Sequence, residues 1–211
     1  MSKFGLSASE EKIFRKLSSP QKIQDYLDKI PINFEPNGDT CRSPREMLKQ
    51  NKAHCIEGAL FAAAVFMYHG KPPLLLDLKA TDDDFDHVVA PFRVNGLWGA
   101  VSKVNHAVLR WREPVYKTFR ELAMSYFHEY FLHSGKKTLR SFSKPFSLKK
   151  YGTKWITAKD NVWYIPEDLD KSAHDRIVPR NLKMRKADRI EIEAGKILEY
   201  KPPKGLKENR I

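Results

Sequence analysis

From Ala59 to Tyr68 every position is apolar or aromatic, and the run ends at His69-Gly70 and Pro72-Pro73. Starting near Ala53-His54-Cys55, this pattern predicts a helix apolar nearly all round, and therefore buried. Upstream the apolar residues recur at helical spacing. Ile13, Phe14 and Leu17 share one face after Ser9-Glu10-Glu11, and Ile23, Tyr26, Leu27 and Ile30 share another after Ser18-Ser19-Pro20. Pro31 ends the second of these helices, residues 33–42 read as loop, and Ser43-Pro44-Arg45-Glu46 opens a short helix through Leu48. Downstream, Leu74-Leu75-Leu76-Asp77-Leu78 reads as a buried strand and 81–86 as an acidic loop. His87 to Val94 and Leu97 to Ser102 flank Asn95-Gly96, a strong hairpin signal. Residues 114–132 read as one helix with Val115, Phe119, Leu122, Ala123, Tyr126, Phe127 and Tyr130 on its core face. The final third alternates strand-like pieces (154–156, 162–165 and 196–200) with Pro-rich loops.

At 211 residues the chain is long enough for a substantial core. It shows no apolar run of membrane-spanning length and no signal-peptide core at its start, and two cysteines are too few for a disulfide framework. These features place the protein in a reducing cytoplasm. The net charge of +12 is uneven, because residues 135–211 hold 20 Lys and Arg against 10 Asp and Glu. The positives are scattered singly and in pairs, which favours a solvated basic surface over a dedicated nucleic-acid module.

Chemistry centres on Cys55. With Asn51 as the expected cap, the thiol sits at the mouth of the buried helix, where the macrodipole and free amides favour a thiolate. A thiolate nucleophile calls for an imidazole, and His87 opens the strand that follows the acidic run. An Asn95-Gly96 turn makes paired positions of the hairpin sum to 191, which puts His87, Val89, Ser102 and Val104 on one face. Ser102 is then the diagonal neighbour of His87. His54 is next to Cys55, but successive helix positions diverge, so it is not expected to pair with the thiol. Glu57 is expected to face away. Trp98 reads as core that could wall the site, and the acidic run as a solvated loop. His69, His106, His128 and His133 lack metal-ligand spacing, and neither a metal nor another cofactor is expected.

A helix-borne Cys55, a strand-borne His87, Trp98 on the hairpin's second strand and Ser102 four positions later resemble the transglutaminase-like branch of the papain-like cysteine enzymes. The resemblance spans residues 43–104 and includes the Gly70-Lys71-Pro72 break between helix and strand. It implies that Cys55 is the nucleophile and His87 the general base. The family has Asp where this chain has Ser102; a hydroxyl can hold an imidazole tautomer but supplies no charge. Asn105 is the alternative third member, although the regular pleat puts it on the opposite face.

The expected fold is α+β: a papain-like or transglutaminase-like core at 43–134, an N-terminal helical segment at 1–42, and a basic C-terminal extension at 135–211 packed on the core. The expected activity is that of a cysteine-dependent hydrolase or acyltransferase acting on a protein or peptide amide, with Cys55, His87 and Ser102 as its residues. The alternative is a catalytically silent binding module whose basic C-terminal third holds a nucleic acid or an acidic protein.

Overall fold

The computed structural model describes residues 2–204, so 205–211, the end of the basic third, lie outside the described residues. The fold is α+β, with seven helices and a seven-stranded antiparallel sheet among the described residues. No helix among them is long and apolar enough to cross a membrane.

The helix α4 (Cys55–Tyr68) is the axis of the core, and everything from Ile56 to Phe66 along it is buried. Three shorter helices pack around it: α1 (Ala8–Lys16), α2 (Pro20–Asp28) and α3 (Pro44–Gln50). Their starts follow the chain's polar punctuation. Ser7, Ser19 and Ser43 each accept a backbone N–H three residues on, and Pro20 and Pro44 occupy the first turn, where no amide partner is lost. The cap of α1 is thus Ser7 rather than Ser9, closed reciprocally by Glu10.

The strands β1 (Leu74–Lys79), β2 (His87–Val94), β3 (Leu97–Val101) and β4 (Arg112–Tyr116) form one side of the sheet, in the order β4-β3-β2-β1. The hairpin register is the expected one: Val94 faces Leu97 and Ala90 faces Val101. Both turn residues have positive φ (Asn95 48°, Gly96 84°), the conformation in which a two-residue turn matches strand twist.

On its other edge β1 pairs with β5 (Ser141–Ser143) and β6 (Phe146–Ser147), and β5 pairs with β7 (His174–Arg176). The register along β1 slips by one residue between Leu75↔Phe146 and Leu78↔Phe142. Pro145 lies at the slip and has no N–H for the ladder. There the Asp77 amide donates instead to Ser143 Oγ at 2.9 Å. The C-terminal third therefore contributes three strands to the same sheet as His87.

Two sequence expectations change. Residues 114–132 are not one helix: β4 runs through Pro114, the helix α5 covers only Phe119–Met124, and a 3-10 turn covers Phe127–Glu129. Pro114 suits an edge strand, and Thr118 starts α5 by accepting the Glu121 N–H at 3.1 Å. The pieces 154–156 and 162–165 are not strands either. The first is a 3-10 turn, and the second leads into α6 (Tyr164–Asp170). Residues 196–200 follow α7 (Arg189–Gly195) and only bridge Leu198 to His106.

Candidate active site

The start of α4 is prepared by the loop before it. Asn51 does not cap α4; it closes α3 in the left-handed region at φ 49°, and His54 is the N-cap. The Ala53 N–H donates to the Pro31 carbonyl at 3.1 Å, and the Ala53 carbonyl accepts the Asn33 N–H at 3.0 Å. These two bonds lay the 33–40 loop alongside His54.

Glu35 occupies that loop with φ 53°, a conformation that costs a non-glycine residue about 1 kcal/mol or more. Its carboxylate is held by Thr40, whose N–H donates to Oε1 at 2.5 Å, with Oγ1 3.1 Å from the same oxygen. His54 Nε2 then lies 2.9 Å from the Thr40 carbonyl, 3.2 Å from Glu35 Oε1 and 3.7 Å from Glu57 Oε1. All three neighbours are acceptors, so Nε2 carries a hydrogen.

Glu57 does not face away: it is fully buried. Its carboxylate accepts from the His54 N–H (3.2 Å), Asn33 Nδ2 (3.2 Å), Thr40 Oγ1 (2.8 Å) and the Arg42 N–H (3.1 Å). Arg42 Nη1 stands 3.7 Å away as its counter-charge. Its place three residues after the cap lets it bond back to the cap's amide, the acidic half of a capping box.

Cys55 is the first residue of α4, a free thiol that is partly exposed. The influences on its thiol exceed expectation, because His54 as well as His87 lowers it. The divergence argued for adjacent helix residues does not apply, since His54 has extended backbone (φ −107°, ψ −169°). Burial works against the thiolate. The hydrogen bonds from His54 and His87, followed by their charges, outweigh it and bring the thiol down to about 5. Burial likewise opposes charge on His54, but the sulfur and Glu35 hold that imidazole well above its ordinary range. Cys41 is buried without exposure, and desolvation first, then Glu57, pushes its thiol up and keeps it inert.

His87 begins β2 opposite Leu78. It is buried, and its ring lies edge-on to Tyr126 at 6.2 Å. Its Nε2 is buried with no hydrogen-bond partner among the described residues. His106 lies within electrostatic range, but burial brings it down to about 4, so it adds no charge there.

Ser102 is fully buried, and its Oγ donates to the Leu109 carbonyl at 3.2 Å. Its backbone is clasped by the Gln24 side chain: Ser102 N–H to Oε1 at 3.0 Å, and Nε2 to the Ser102 carbonyl at 2.9 Å. Asn105 pairs with Tyr200, accepting its N–H at 2.9 Å and donating Nδ2 to its carbonyl at 3.0 Å. Trp98 does not wall the site. It pairs with Arg93, six residues along the strand from His87, about 20 Å away, and packs on Phe119 at 4.3 Å.

The acidic run is more than a solvated loop. Asp83 pairs with Lys136 at 2.8 Å, Thr138 donates to Asp84, and Asp86 Oδ1 accepts the Ala80 N–H at 2.7 Å. Asp77, Asp86 and Asp170 converge, with burial and then Asp77 and Asp170 lifting Asp86 to about 6. Lys79 on Asp170, and His174 at 3.1 Å from Asp77, supply counter-charge, so the group reads as an ion-pair cluster.

A partly exposed sulfur at a helix start, with two histidines lowering its thiol, is an arrangement that can supply a nucleophile and anion-stabilising amides. No family model matches the chain, and no curated protein matches it significantly.

Proposed function

We propose that the protein is a cysteine-dependent hydrolase or acyltransferase acting on an amide bond, built on a transglutaminase-like, papain-like core. The observation that carries this reading is Cys55 at the mouth of a buried helix, its thiol held near 5 by two imidazoles.

The Cys55 thiolate attacks the substrate carbonyl carbon. A C–S bond forms, the carbonyl π electrons move to oxygen, and first-turn amides of α4 hold the oxyanion. Collapse of that intermediate breaks the C–N bond as the His87 imidazolium gives its proton to the leaving amine. Water, or an acceptor amine, then attacks the thioester and loses its proton to His87 as the thiolate departs. Each cycle returns thiolate and imidazolium to their starting state.

The test uses the intact protein with Cys41→Ser as background. Cys55 alkylation is expected to be half-maximal near pH 5 and to fall below it, because a lowered thiol loses its thiolate only as pH drops through that value. An active acyl ester is expected to form a thioester on Cys55 and to turn over, with turnover lost in His87→Ala. Alkylation rising only near pH 8.5, as for an ordinary thiol, or an adduct that never turns over, overturns the reading. Polyanion binding with a steep salt dependence in that second case indicates the silent binding module instead.

A further inference from the structure

The two imidazoles that lower the Cys55 thiol have different supports. His54 is clamped by the Thr40 carbonyl, the Glu35 carboxylate and, further off, Glu57. Glu35 is itself held by the Thr40 N–H. His87 has no acceptor on Nε2 among the described residues and an aromatic ring against its side.

In a triad the carboxylate stands behind the imidazole that moves the proton, where it fixes the tautomer and stabilises the cation. Here the carboxylate stands behind the other imidazole. We propose that His54, locked by Glu35, is a catalytic residue that stays protonated throughout the cycle as the fixed cation beside the Cys55 sulfur, leaving His87 as the residue that carries the proton. This rests on the nucleophilic reading of Cys55.

Charge balance supports the division. Glu35 and the thiolate are the anions beside His54, while Glu57 is faced by Arg42 at 3.7 Å. The other titratable groups facing the sulfur add nothing. Cys41 and Tyr130 are both pushed up by burial and stay neutral, Tyr130 with its hydroxyl donated to the Phe85 carbonyl. The hold on His54 also disqualifies it as a shuttle. A donor raised well above neutral releases its proton poorly, and efficient general acid catalysis needs a group that titrates near the working pH.

Supplying the charge from His54 leaves the thiolate partly independent of His87. The two histidines therefore separate in experiment. In the Cys41→Ser background, His54→Asn and Glu35→Gln are expected to raise the midpoint of Cys55 alkylation by at least about one pH unit, which is about a tenfold slower rate at pH below both midpoints. His87→Ala is expected to slow turnover of the acyl ester about 10²–10⁴-fold while leaving the midpoint below about 7. Glu35→Gln preserves the hydrogen bond to His54 and serves if His54→Asn fails to fold. Imidazole NMR of the Cys41→Ser protein gives a second readout, with the His54 ring protonated at pH 7.

A His54 ring found neutral at pH 7, or a low midpoint unmoved by both His54→Asn and Glu35→Gln, overturns this assignment and leaves the nucleophilic reading standing. An unperturbed wild-type thiol overturns both.

Discussion

The surroundings of His54 and of His87 differ in kind, although both rings lower one thiol. His54 sits in a polar pocket made by a loop: two carboxylates, a threonine and a carbonyl, with Arg42 behind. His87 sits at the start of a strand against Tyr126, with one ring nitrogen unsatisfied. A pocket lined by carboxylates favours the charged form of an imidazole, whereas apolar burial disfavours it. The difference teaches that a loop held in strained backbone can set charged partners around one imidazole, while regular structure places the other among apolar neighbours.

The comparison breaks most visibly at His87. Replacing it with alanine is expected to slow acyl turnover about 10²–10⁴-fold, measured by steady-state kinetics with melting as control; a smaller loss assigns the proton to His54. Next in size is Glu57→Ala. It strands Arg42 and three other donors inside the His54 pocket and is expected to cost about 3–5 kcal/mol in urea unfolding, whereas a cost near zero shows the pocket to be wet. Gly58→Ala follows, because a Cβ there would overlap the Lys103 side chain, itself buried and lowered by desolvation to about 8. Overpacking of this kind costs about 1–3 kcal/mol by the same measurement. Smallest is Ser102→Ala on the His87 side, expected to cost about 1 kcal/mol for its bond to Leu109 and to leave the alkylation profile of Cys55 in place. A shifted profile makes Ser102 part of the proton path.

Much of this frame is legible in the sequence. The apolar run to Tyr68 announces α4, Asn95-Gly96 fixes the hairpin and its register, and both point to Cys55 and His87. The strands β5, β6 and β7 are two or three residues each, too short for an alternating pattern to show, and they exist because β1 offers them an edge. The long helix expected at 114–132 came from aromatics at helical spacing; Pro114 and Thr118-x-x-Glu121 were the competing signals. The second imidazole was hidden by placing the helix start at Asn51. Glu57 three residues after His54 was the available clue, since an acidic residue there marks the position before α4 as its cap. Glu35 had none, because its approach depends on a loop conformation set by the bridge between Ile32 and Ala53.

The position of β1 bears on how the protein is made. Its leucine-rich edge is satisfied only by residues that leave the ribosome much later, Ser143 being 66 positions beyond Asp77. At about 5–20 residues per second that edge stays open for several seconds. A chain stalled in that interval displays an unpaired apolar strand, the feature that drives edge-to-edge aggregation. Truncated products are thus expected to be removed as aggregates or chaperone clients, so that only finished chains carry the completed sheet.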